Sequence, residues 1–351
     1  MARVLLTGAN GFIGTQLLSA LMARGDDVRC LVRSTSKVDV RQKLSAQWIT
    51  GDVTDSSTLP AAVADVDVVY HLAGITRANR HSDYVRANVT GTCNVIESCS
   101  QRSTPPVVVL IPSLAAAGPM ADRNRLRTET DLPQPVSCYG ISKLAGEHAA
   151  EAFADRVPIT IVRPPIVLGP GDATGLALFK SIRRLRAFLV LGSERRVSVI
   201  HVADLNNALI AAAQIGERLP ARATSVVETP SSTTANGSSI DGRGKYFVAA
   251  DEHPTFSELN RLVARAVNRP NAWAIRLPLA VLWATAAPGE IVGRVTGKAR
   301  YLSFERAREY TSGHWICSAE KAKRDLDFAP AAPLAERLNE TADWYRQKGW
   351  L

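Results

Sequence analysis

The chain is short of cysteine, and this shortage argues against two classes of protein. Only five of its 351 residues are cysteines. They are Cys30, Cys93, Cys99, Cys138 and Cys317. An odd number without metal-ligand spacing is not typical of a disulfide framework or of a zinc site. We therefore expect buried, reduced thiols and no bound metal.

Long apolar runs are also missing. The uncharged segment Leu277–Ala287 has 11 residues, whereas a helix that spans a bilayer needs about twenty. In one interpretation this segment lines an apolar substrate slot or rests on a membrane surface. In the other, which the sequence favours, it is a helix buried against the sheet domain. A single Arg3 precedes the first strand, unlike a signal peptide, so we expect a cytoplasmic protein with at most peripheral membrane contact.

Basic residues outnumber acidic ones, with 42 Lys and Arg against 33 Asp and Glu and a net charge of +9. This excess favours anionic partners. The basic residues are dispersed and form no stripe with aromatic residues, which argues against nucleic acid. A phosphorylated cofactor or an acidic membrane surface fits the charge better.

Short apolar runs alternate with helical patterns through the first half of the chain. The predicted strands are Val4–Leu6, Val28–Val32, Gln47–Ile49, Val66–Tyr70, Val107–Ile111 and Ile159–Val162. The predicted helices lie near Gly11–Arg24, Ser57–Ala64, Tyr84–Gln101 and Tyr139–Ala154. This alternation predicts an α/β fold with a doubly wound parallel sheet.

The segment LLTGANGFIG joins the first predicted strand to the first predicted helix. Its glycines Gly8, Gly11 and Gly14 stand three residues apart. A dinucleotide pyrophosphate can approach the N–H groups at a helix N-terminus only where no Cβ blocks it. An ordinary strand-to-helix turn could carry the same glycines. The second strand follows at the distance expected of a βαβ unit, which favours nucleotide binding.

Tyr139 and Lys143, in YGISK, stand four apart in a predicted helix, so their side chains share one face. A tyrosine with a pKa of about 10 is a poor acid or base at neutral pH, and a neighbouring ammonium group lowers that pKa. Such a pair is suited to proton exchange with an alcohol or a carbonyl. Ser113 follows a predicted strand, at the sheet edge where this fold class binds ligands. Taken singly, each of these residues also has an ordinary structural explanation.

Taken together, the motifs resemble those of the extended short-chain dehydrogenase/reductase family. The matching features, in chain order, are Thr7–Gly14, HLAG (His71–Gly74), Asn88, Ser113 and YGISK. The resemblance implies a Rossmann fold with a nicotinamide cofactor and with Tyr139 as the catalytic acid-base. It implies that Lys143 binds the ribose hydroxyls and lowers the tyrosine pKa. It also implies that Ser113 binds the substrate oxygen and that Asn88 sustains a water-linked proton relay.

The same resemblance implies the cofactor-binding residues. They are Gly8, Asn10, Gly11, Phe12, Ile13, Gly14, Arg33, Ser34, Asp52, Val53, Leu72, Ala73, Gly74, Tyr139, Lys143, Pro165 and Ile166. Among them, Asp52 would contact the adenine amino group and Val53 would pack on its ring. We expect His71, His201 and Asp204 to be structural.

The residues after the second strand bear on the choice of cofactor. In this fold a carboxylate there binds the ribose hydroxyls of NAD, whereas a cation accommodates the 2′-phosphate of NADP. Here the sequence is Val32-Arg33-Ser34, without a carboxylate. We therefore expect NADP(H) rather than NAD(H), with Arg33 as the phosphate ligand and Ser34 as a hydroxyl partner.

Two features indicate the branch of the family. Nucleotide-sugar epimerases usually carry an asparagine where this chain has Ile166, and isoleucine cannot make that polar contact. The segments RPP and PSLAAAGP resemble the 3β-hydroxysteroid (sterol) dehydrogenase and dihydroflavonol reductase-like branch. We therefore expect a hydroxyl–ketone oxidoreductase for a lipophilic substrate. One alternative is a nucleotide-sugar epimerase or dehydratase with retained NAD, in which Arg163 and other arginines would contact phosphate groups. The other alternative is a non-catalytic cofactor-binding scaffold.

The resemblance and the patterns together predict two domains. An NAD(P)-binding Rossmann domain occupies residues 1–170, with a returning segment at about 200–228. A smaller, mostly helical substrate lobe occupies 171–199 and 244–351, and 229–243 is a flexible loop. Within the lobe, Thr255 and Glu258 have the spacing of a capping box. The family also implies a homodimer formed through the helices near Tyr84–Gln101 and Tyr139–Ala154.

Overall fold

The computed structural model describes residues 1–35, 46–191, 194–221, 241–281, 283–284 and 304–351. Its centre is a sheet of seven parallel strands. They are β1 (Arg3–Thr7), β2 (Asp27–Val32), β3 (Gln47–Thr50), β4 (Val68–His71), β5 (Val107–Leu110), β6 (Ile159–Arg163) and β10 (Lys245–Phe247). Their order across the sheet is β3-β2-β1-β4-β5-β6-β10. The order reverses between β1 and β4, as in doubly wound nucleotide-binding folds, so the predicted fold class is confirmed.

Side chains of the central strands enter two separate cores. Val4 and Leu6 belong to one core and Leu5 to the other, because successive residues of a strand point to opposite faces. One core is covered by α1 (Phe12–Ala23), α8 (Val202–Ile215) and α11 (Glu320–Leu326). The other is covered by α2 (Leu59–Val63), α4 (Gly91–Ser100) and α6 (Cys138–Glu151).

The six strands predicted in the first half all lie in this sheet, within two residues of their predicted ends. The helix predicted near Tyr84–Gln101 is present and runs without a break from His81 to Ser100, but its middle turn is π-helical. It consists of α3 (His81–Tyr84), a π-helical turn (Val85–Thr90) and α4. The wider turn buries Asn88, which is 2% exposed. Such turns are frequent at functional sites.

A smaller lobe packs around Phe179 and Tyr345, whose rings meet edge to face with centroids 5.2 Å apart. It contains α7 (Ala173–Leu185), β8 (Ala187–Leu191), α9 (Phe256–Ala266), β11 (Trp273–Leu277) and α12 (Leu334–Gln347). The shorter elements are α5 (Leu114–Ala117), β7 (Ile166–Leu168), β9 (Val199–His201) and α10 (Phe304–Thr311). The capping box is present, since the Thr255 hydroxyl accepts from Glu258 N–H and the Glu258 carboxylate accepts from Thr255 N–H.

The C-terminal half divides differently from the predicted domains. The predicted lobe 244–351 contains β10 and α11, yet β10 pairs with β6 and α11 packs in the core of α1 and α8. The predicted loop 229–243 lies outside the described residues except for 241–243. All five cysteines are free thiols, and Cys93 and Cys138 are only partly buried.

The segment Leu277–Ala287 is described as far as residue 281 and again at 283–284. Val281 is 37% exposed and Trp283 is 40% exposed. The expectation of a helix buried against the sheet is therefore wrong for the described part of this segment. Within the described residues, every helix is too short or too polar to traverse a lipid bilayer.

Candidate active site

The turn after β1 is built by close backbone contacts. Gly8 has φ +73°, and a Cβ there would lie 2.9 Å from the backbone nitrogen of Ala73. A Cβ at Gly14 would lie 2.2 Å from the Gly8 carbonyl oxygen. Gly11 is the N-cap of α1 and offers no side-chain cap. The first N–H groups of α1 are thus left to an external acceptor, and the pyrophosphate of a dinucleotide fits this turn.

A cleft of about 270 Å³ extends from this turn along the carboxyl ends of the strands. Of the predicted cofactor residues, it is lined by Gly8, Asn10, Gly11, Arg33, Asp52, Val53, Leu72, Ala73 and Gly74. It is also lined by residues that the sequence did not single out, namely Leu31, Val32, Gly51, Thr54, Ile75, Asp83, Arg86 and Ala87. The cleft brings together segments that are far apart in sequence, as the predicted cofactor site requires.

The remaining predicted cofactor residues lie outside this lining. Phe12, Ile13 and Gly14 form the first turn of α1. Ser34 follows Arg33 after the end of β2, and both residues are exposed. Pro165 lies in the connection from β6 to β7, and Ile166 is the first residue of β7; the adjoining Pro164 carbonyl accepts a hydrogen bond from Leu114 N–H. This connection therefore lies beside the start of α5.

Tyr139 and Lys143 lie on the first turns of α6, whose N-cap Ser137 accepts a hydrogen bond from Gly140 N–H. The Lys143 ammonium nitrogen is 5.9 Å from the centroid of the Tyr139 ring. Burial lowers the pKa of Lys143 to about 8, and the nearby Glu147 charge opposes this shift. The predicted pairing on one helix face is therefore present, and the ammonium group loses its proton at a lower pH than that of an ordinary lysine.

Asn88 and Lys143 meet at Gly74. A Cβ at Gly74 would lie 2.7 Å from Asn88 Oδ1 and 2.8 Å from Lys143 Nζ. Asn88 Oδ1 accepts from Ile75 N–H, and its amide nitrogen donates to the Ser142 hydroxyl at 2.9 Å. The Ser142 hydroxyl in turn donates to the Tyr139 carbonyl at 2.8 Å. Asn88 is thereby tied to the helix of the tyrosine, through a serine that the sequence did not single out.

Ser113 is the N-cap of α5, just past β5. Its hydroxyl oxygen accepts from Ala115 N–H at 3.1 Å, which leaves the hydroxyl proton to donate. Helix α5 packs directly on α6, since a Cβ at Gly140 would lie 2.4 Å from the Ala115 carbonyl oxygen. Ser113 and Tyr139 therefore belong to two contacting helix starts at the same edge of the sheet.

His71 holds a buried hydrogen-bond chain behind the site. Its Nδ1 lies 2.8 Å from the Thr7 hydroxyl, and its Nε2 lies 3.2 Å from the Thr92 hydroxyl. The Thr92 hydroxyl donates to the Asn88 carbonyl, so Nε2 must be the donor to Thr92 and the Thr7 hydroxyl must donate to Nδ1. Burial, assisted by the Lys143 charge, lowers the pKa of His71 to about 3. His71 is thus a neutral structural residue that fixes the Asn88 turn.

Two carboxylates of α10 contact the start of α6, and neither was singled out by the sequence. Glu305 accepts from Cys138 N–H at 2.7 Å, and Glu309 accepts from the Ser137 hydroxyl at 2.6 Å. Negative charge near a helix N-terminus is favourable, which explains this docking. The Tyr84 hydroxyl lies 3.5 Å from Glu305, and its ring centroid lies 6.3 Å from that of Tyr139.

Three further residues with candidate roles are engaged structurally. Arg163 is completely buried and makes a two-point ion pair with the equally buried Glu147. It therefore does not extend into a ligand site. His201 accepts from Ala203 N–H at the start of α8, and Asp204 accepts from Arg337 of α12. Both anchor helices, as expected from the sequence.

Comparisons with known proteins agree with this arrangement. The model of the NAD dependent epimerase/dehydratase family matches residues 4–225. A ceramide reductase of Caulobacter vibrioides is 29% identical, over 99% of this chain and 96% of the relative. A 2-alkyl-3-oxoalkanoate reductase of Stenotrophomonas maltophilia is 27% identical, over 96% of this chain and 97% of the relative.

A similar solved structure is the UDP-glucuronic acid 4-epimerase of Bacillus cereus in complex with UDP-glucuronic acid and NAD. It superposes with a TM-score of 0.72 and 20% identity, over 99% of both chains. At this identity the likeness shows the shared fold.

Proposed function

Because the chain belongs to the NAD dependent epimerase/dehydratase family, we propose that it interconverts a hydroxyl group and a ketone on a lipophilic substrate with NADP(H). It is an NAD(P)-dependent oxidoreductase of the extended short-chain dehydrogenase/reductase type, with reductases among its relatives. The proposal goes further in naming the preferred cofactor, the substrate class and the residues that act.

The observation that carries the proposal is the meeting of Lys143 Nζ and Asn88 Oδ1 at Gly74, a residue that lines the cleft. Tyr139 stands on the same helix face as Lys143. A protein that only bound a nucleotide would need the glycine turn but not a buried amine beside a phenol. The arrangement therefore supports catalysis over the scaffold alternative.

The chain's own residues have separate roles in this scheme. A nicotinamide cofactor, when bound, supplies or accepts the hydride. In reduction, Tyr139 donates its phenolic proton to the substrate oxygen, and the Lys143 ammonium stabilises the resulting phenolate. Ser113 donates its hydroxyl proton to the same oxygen and stabilises the developing negative charge. Asn88 holds the Gly74–Ile75 backbone in a fixed position relative to α6.

The preference for NADP(H) rests on Arg33. It follows β2 at the position that selects between the two cofactors, and it lines the cleft. Arg86 supplies a second cation to the lining, while Asp52 and Asp83 add two carboxylates. One Asp52 oxygen accepts hydrogen bonds from the backbone N–H and the hydroxyl of Thr54.

The lipophilic substrate class rests on two features. Ile166, in the place of the epimerase asparagine, is 37% exposed and offers only an apolar surface. Relatives of nearly the same length include a ceramide reductase. The nucleotide-sugar alternative is less well supported, because Arg163 is held by Glu147 within the core. Cofactor analysis of the purified protein separates the two, since an epimerase retains NAD whereas a reductase exchanges NADP(H).

The activity test uses NADPH oxidation with a panel of long-chain and polycyclic ketones. Tyr139→Phe removes the proton donor, and we expect kcat to fall about 10³-fold. The matched control is Tyr84→Phe, which removes a phenol hydroxyl from the neighbouring ring and should retain activity within about threefold. Near-normal turnover by Tyr139→Phe would contradict the proposal.

The cofactor test titrates NADPH and NADH by fluorescence. Arg33→Ala should weaken NADPH binding about tenfold or more and leave NADH binding nearly unchanged, because only NADPH carries the 2′-phosphate. Equal affinities for both cofactors, unaltered by the substitution, would rule out the role of Arg33.

The homodimer stays a prediction that the exposed apolar residues support. Ile141 on α6 is 48% exposed and Val85 beside α3 is 37% exposed, on the two helical segments implied for the interface. Sedimentation tests this prediction, and a monomer at all concentrations would contradict it. Cytoplasmic location also stays a prediction.

A further inference from the structure

The smaller lobe carries a two-stranded parallel ribbon, β8 paired with β11. Trp273 is opposite Ala187, and Ile275 is opposite Leu189. Phe188 and Val190 point into the core of the lobe. Because side chains alternate along a strand, Leu189 and its cross-strand neighbours Trp273 and Ile275 share the opposite face.

This opposite face is apolar and in contact with solvent. Trp273 is 78% exposed, Leu189 is 55% exposed and Ile275 is 45% exposed. Leu185, at the end of α7, is 72% exposed and adjoins the face, since Trp273 N–H donates to the carbonyl of Arg186. A contiguous group of large apolar side chains at the surface marks a site of interaction.

Exposed cations lie beside these apolar side chains. Arg183, Arg184 and Arg186 are exposed at the end of α7, and Arg269 Nε donates to the Arg183 carbonyl. The sequences 173–191 and 269–284 contain no Asp or Glu. Among the described residues, none of these four arginines has a carboxylate partner. Elsewhere in the same lobe arginines are paired, as Arg346 is with Asp343.

We propose that this basic apolar surface, formed by Leu185, Leu189, Trp273 and Ile275 with Arg183, Arg184, Arg186 and Arg269, docks on the surface of a membrane that contains anionic lipids. Guanidinium groups attract anionic headgroups, and tryptophan and aliphatic side chains enter the interface between headgroups and acyl chains. This mode of binding needs no spanning helix.

Two other occupants fit the surface less well. A nucleic acid backbone would neutralise the arginines but leave leucine and isoleucine in water. A second copy of the chain would cover the apolar residues but bring two sets of these arginines together, and like charges repel. A membrane satisfies both the charge and the apolar area.

The test is co-sedimentation of the full-length protein with vesicles. One set contains phosphatidylcholine alone and the other contains phosphatidylcholine mixed with phosphatidylglycerol. We expect binding to the mixed vesicles that weakens as salt is raised, because screening acts on the arginines. Equal binding to both sets, or binding to neither, would overturn the proposal.

Paired substitutions locate the surface. Arg183→Gln with Arg184→Gln should weaken vesicle binding about 25-fold, because each basic residue near an anionic membrane contributes about fivefold. Trp273→Ser with Leu189→Ser should weaken it at least about tenfold through loss of apolar contact. The matched control is Arg261→Gln with Arg265→Gln, which removes two exposed charges from α9 in the same lobe and should change binding less than about twofold.

Further measurements separate this proposal from the proposed reaction. NADPH binding of each ribbon variant should equal that of the wild type, which also shows that the variant is folded. Tyr139→Phe should bind vesicles normally. If neither of the two paired substitutions on the ribbon surface changes vesicle binding, the proposal is overturned even if the reaction is confirmed. A different result would identify another occupant. If the protein does not bind vesicles but binds duplex DNA or self-associates, and the same substitutions abolish this binding, then that partner rather than a membrane occupies the surface.

Discussion

The glycine turn after β1 and the β8–β11 ribbon are held in opposite ways. In the turn, backbone atoms approach so closely that a Cβ at Gly14 would lie 2.2 Å from the Gly8 carbonyl oxygen. On the ribbon, Trp273 extends into solvent and touches little of its own chain. The turn is fixed by contacts inside the protein, whereas the outer ribbon face is constrained only by what it meets outside. Substitutions in the two regions should therefore have very different effects on stability.

The largest effect is expected at Gly14. Gly14→Ala places a methyl group against backbone that cannot move without displacing α1 from β1. We expect a loss of at least about 5 kcal/mol in the free energy of unfolding, measured by urea denaturation, together with loss of NADPH binding.

Gly25→Ala is the matched control for Gly14→Ala. Gly25 has φ +82°, and a Cβ there would meet nothing within 4 Å. Its substitution should therefore cost only the conformational strain of a left-handed alanine, about 1 kcal/mol. Equal losses for the two variants would mean that steric contact does not fix the turn.

This contrast explains how much could be predicted from the sequence. The six strands, the glycine turn and the Tyr139–Lys143 pair were predictable because each depends on local spacing and on backbone sterics. The fold class follows from their alternation. A role for Asn88 in the site was implied by family resemblance, and its position beside Lys143 was not predicted.

Other contacts could not be predicted because they join residues far apart in sequence. Glu305 docks on the start of α6 across 167 positions of the chain. The π-helical turn at Val85–Thr90 has no distinct periodicity of its own. Strand β11 alternates weakly, and nothing in its sequence indicates that its first four residues are exposed on both faces. Nor does α11 carry a signal that assigns it to the sheet rather than to the lobe.

The next largest effect is expected at a buried ion pair of the sheet region, and the comparison is an exposed ion pair of the lobe. Glu147 and Arg163 are both 0% exposed. Glu147→Gln removes the carboxylate that is hydrogen-bonded to the buried Arg163 charge, and we expect a loss of about 4 kcal/mol in the free energy of unfolding. Asp343→Asn breaks the exposed pair with Arg346 and should cost less than about 1 kcal/mol. Similar losses in urea denaturation would contradict the difference between the regions.

Lys143 should show an effect of the opposite sign. Its pKa is about 8 in the folded protein against 10.5 in the unfolded chain, so the unfolded chain binds more protons between these pH values. The penalty for burying the ammonium group is therefore complete below pH 8 and disappears as pH rises to 10.5. Lys143→Met removes this burial penalty and should raise the free energy of unfolding at pH 7 by at most about 3 kcal/mol. The same substitution should abolish activity. A stability difference from the wild type that does not change between pH 7 and pH 10 would contradict this assignment.

The smallest effect is expected on the ribbon. Trp273→Ser removes a side chain that is 78% exposed, so little buried area is lost and the free energy of unfolding should change by less than about 0.5 kcal/mol. Phe179→Ala, in the core of the same lobe, is the matched comparison and should cost about 4 kcal/mol through the cavity that it leaves. Thermal and urea unfolding measure both variants. A large loss for Trp273→Ser would show that this tryptophan is held by its own lobe, and the ribbon would then resemble the glycine turn in being fixed from within.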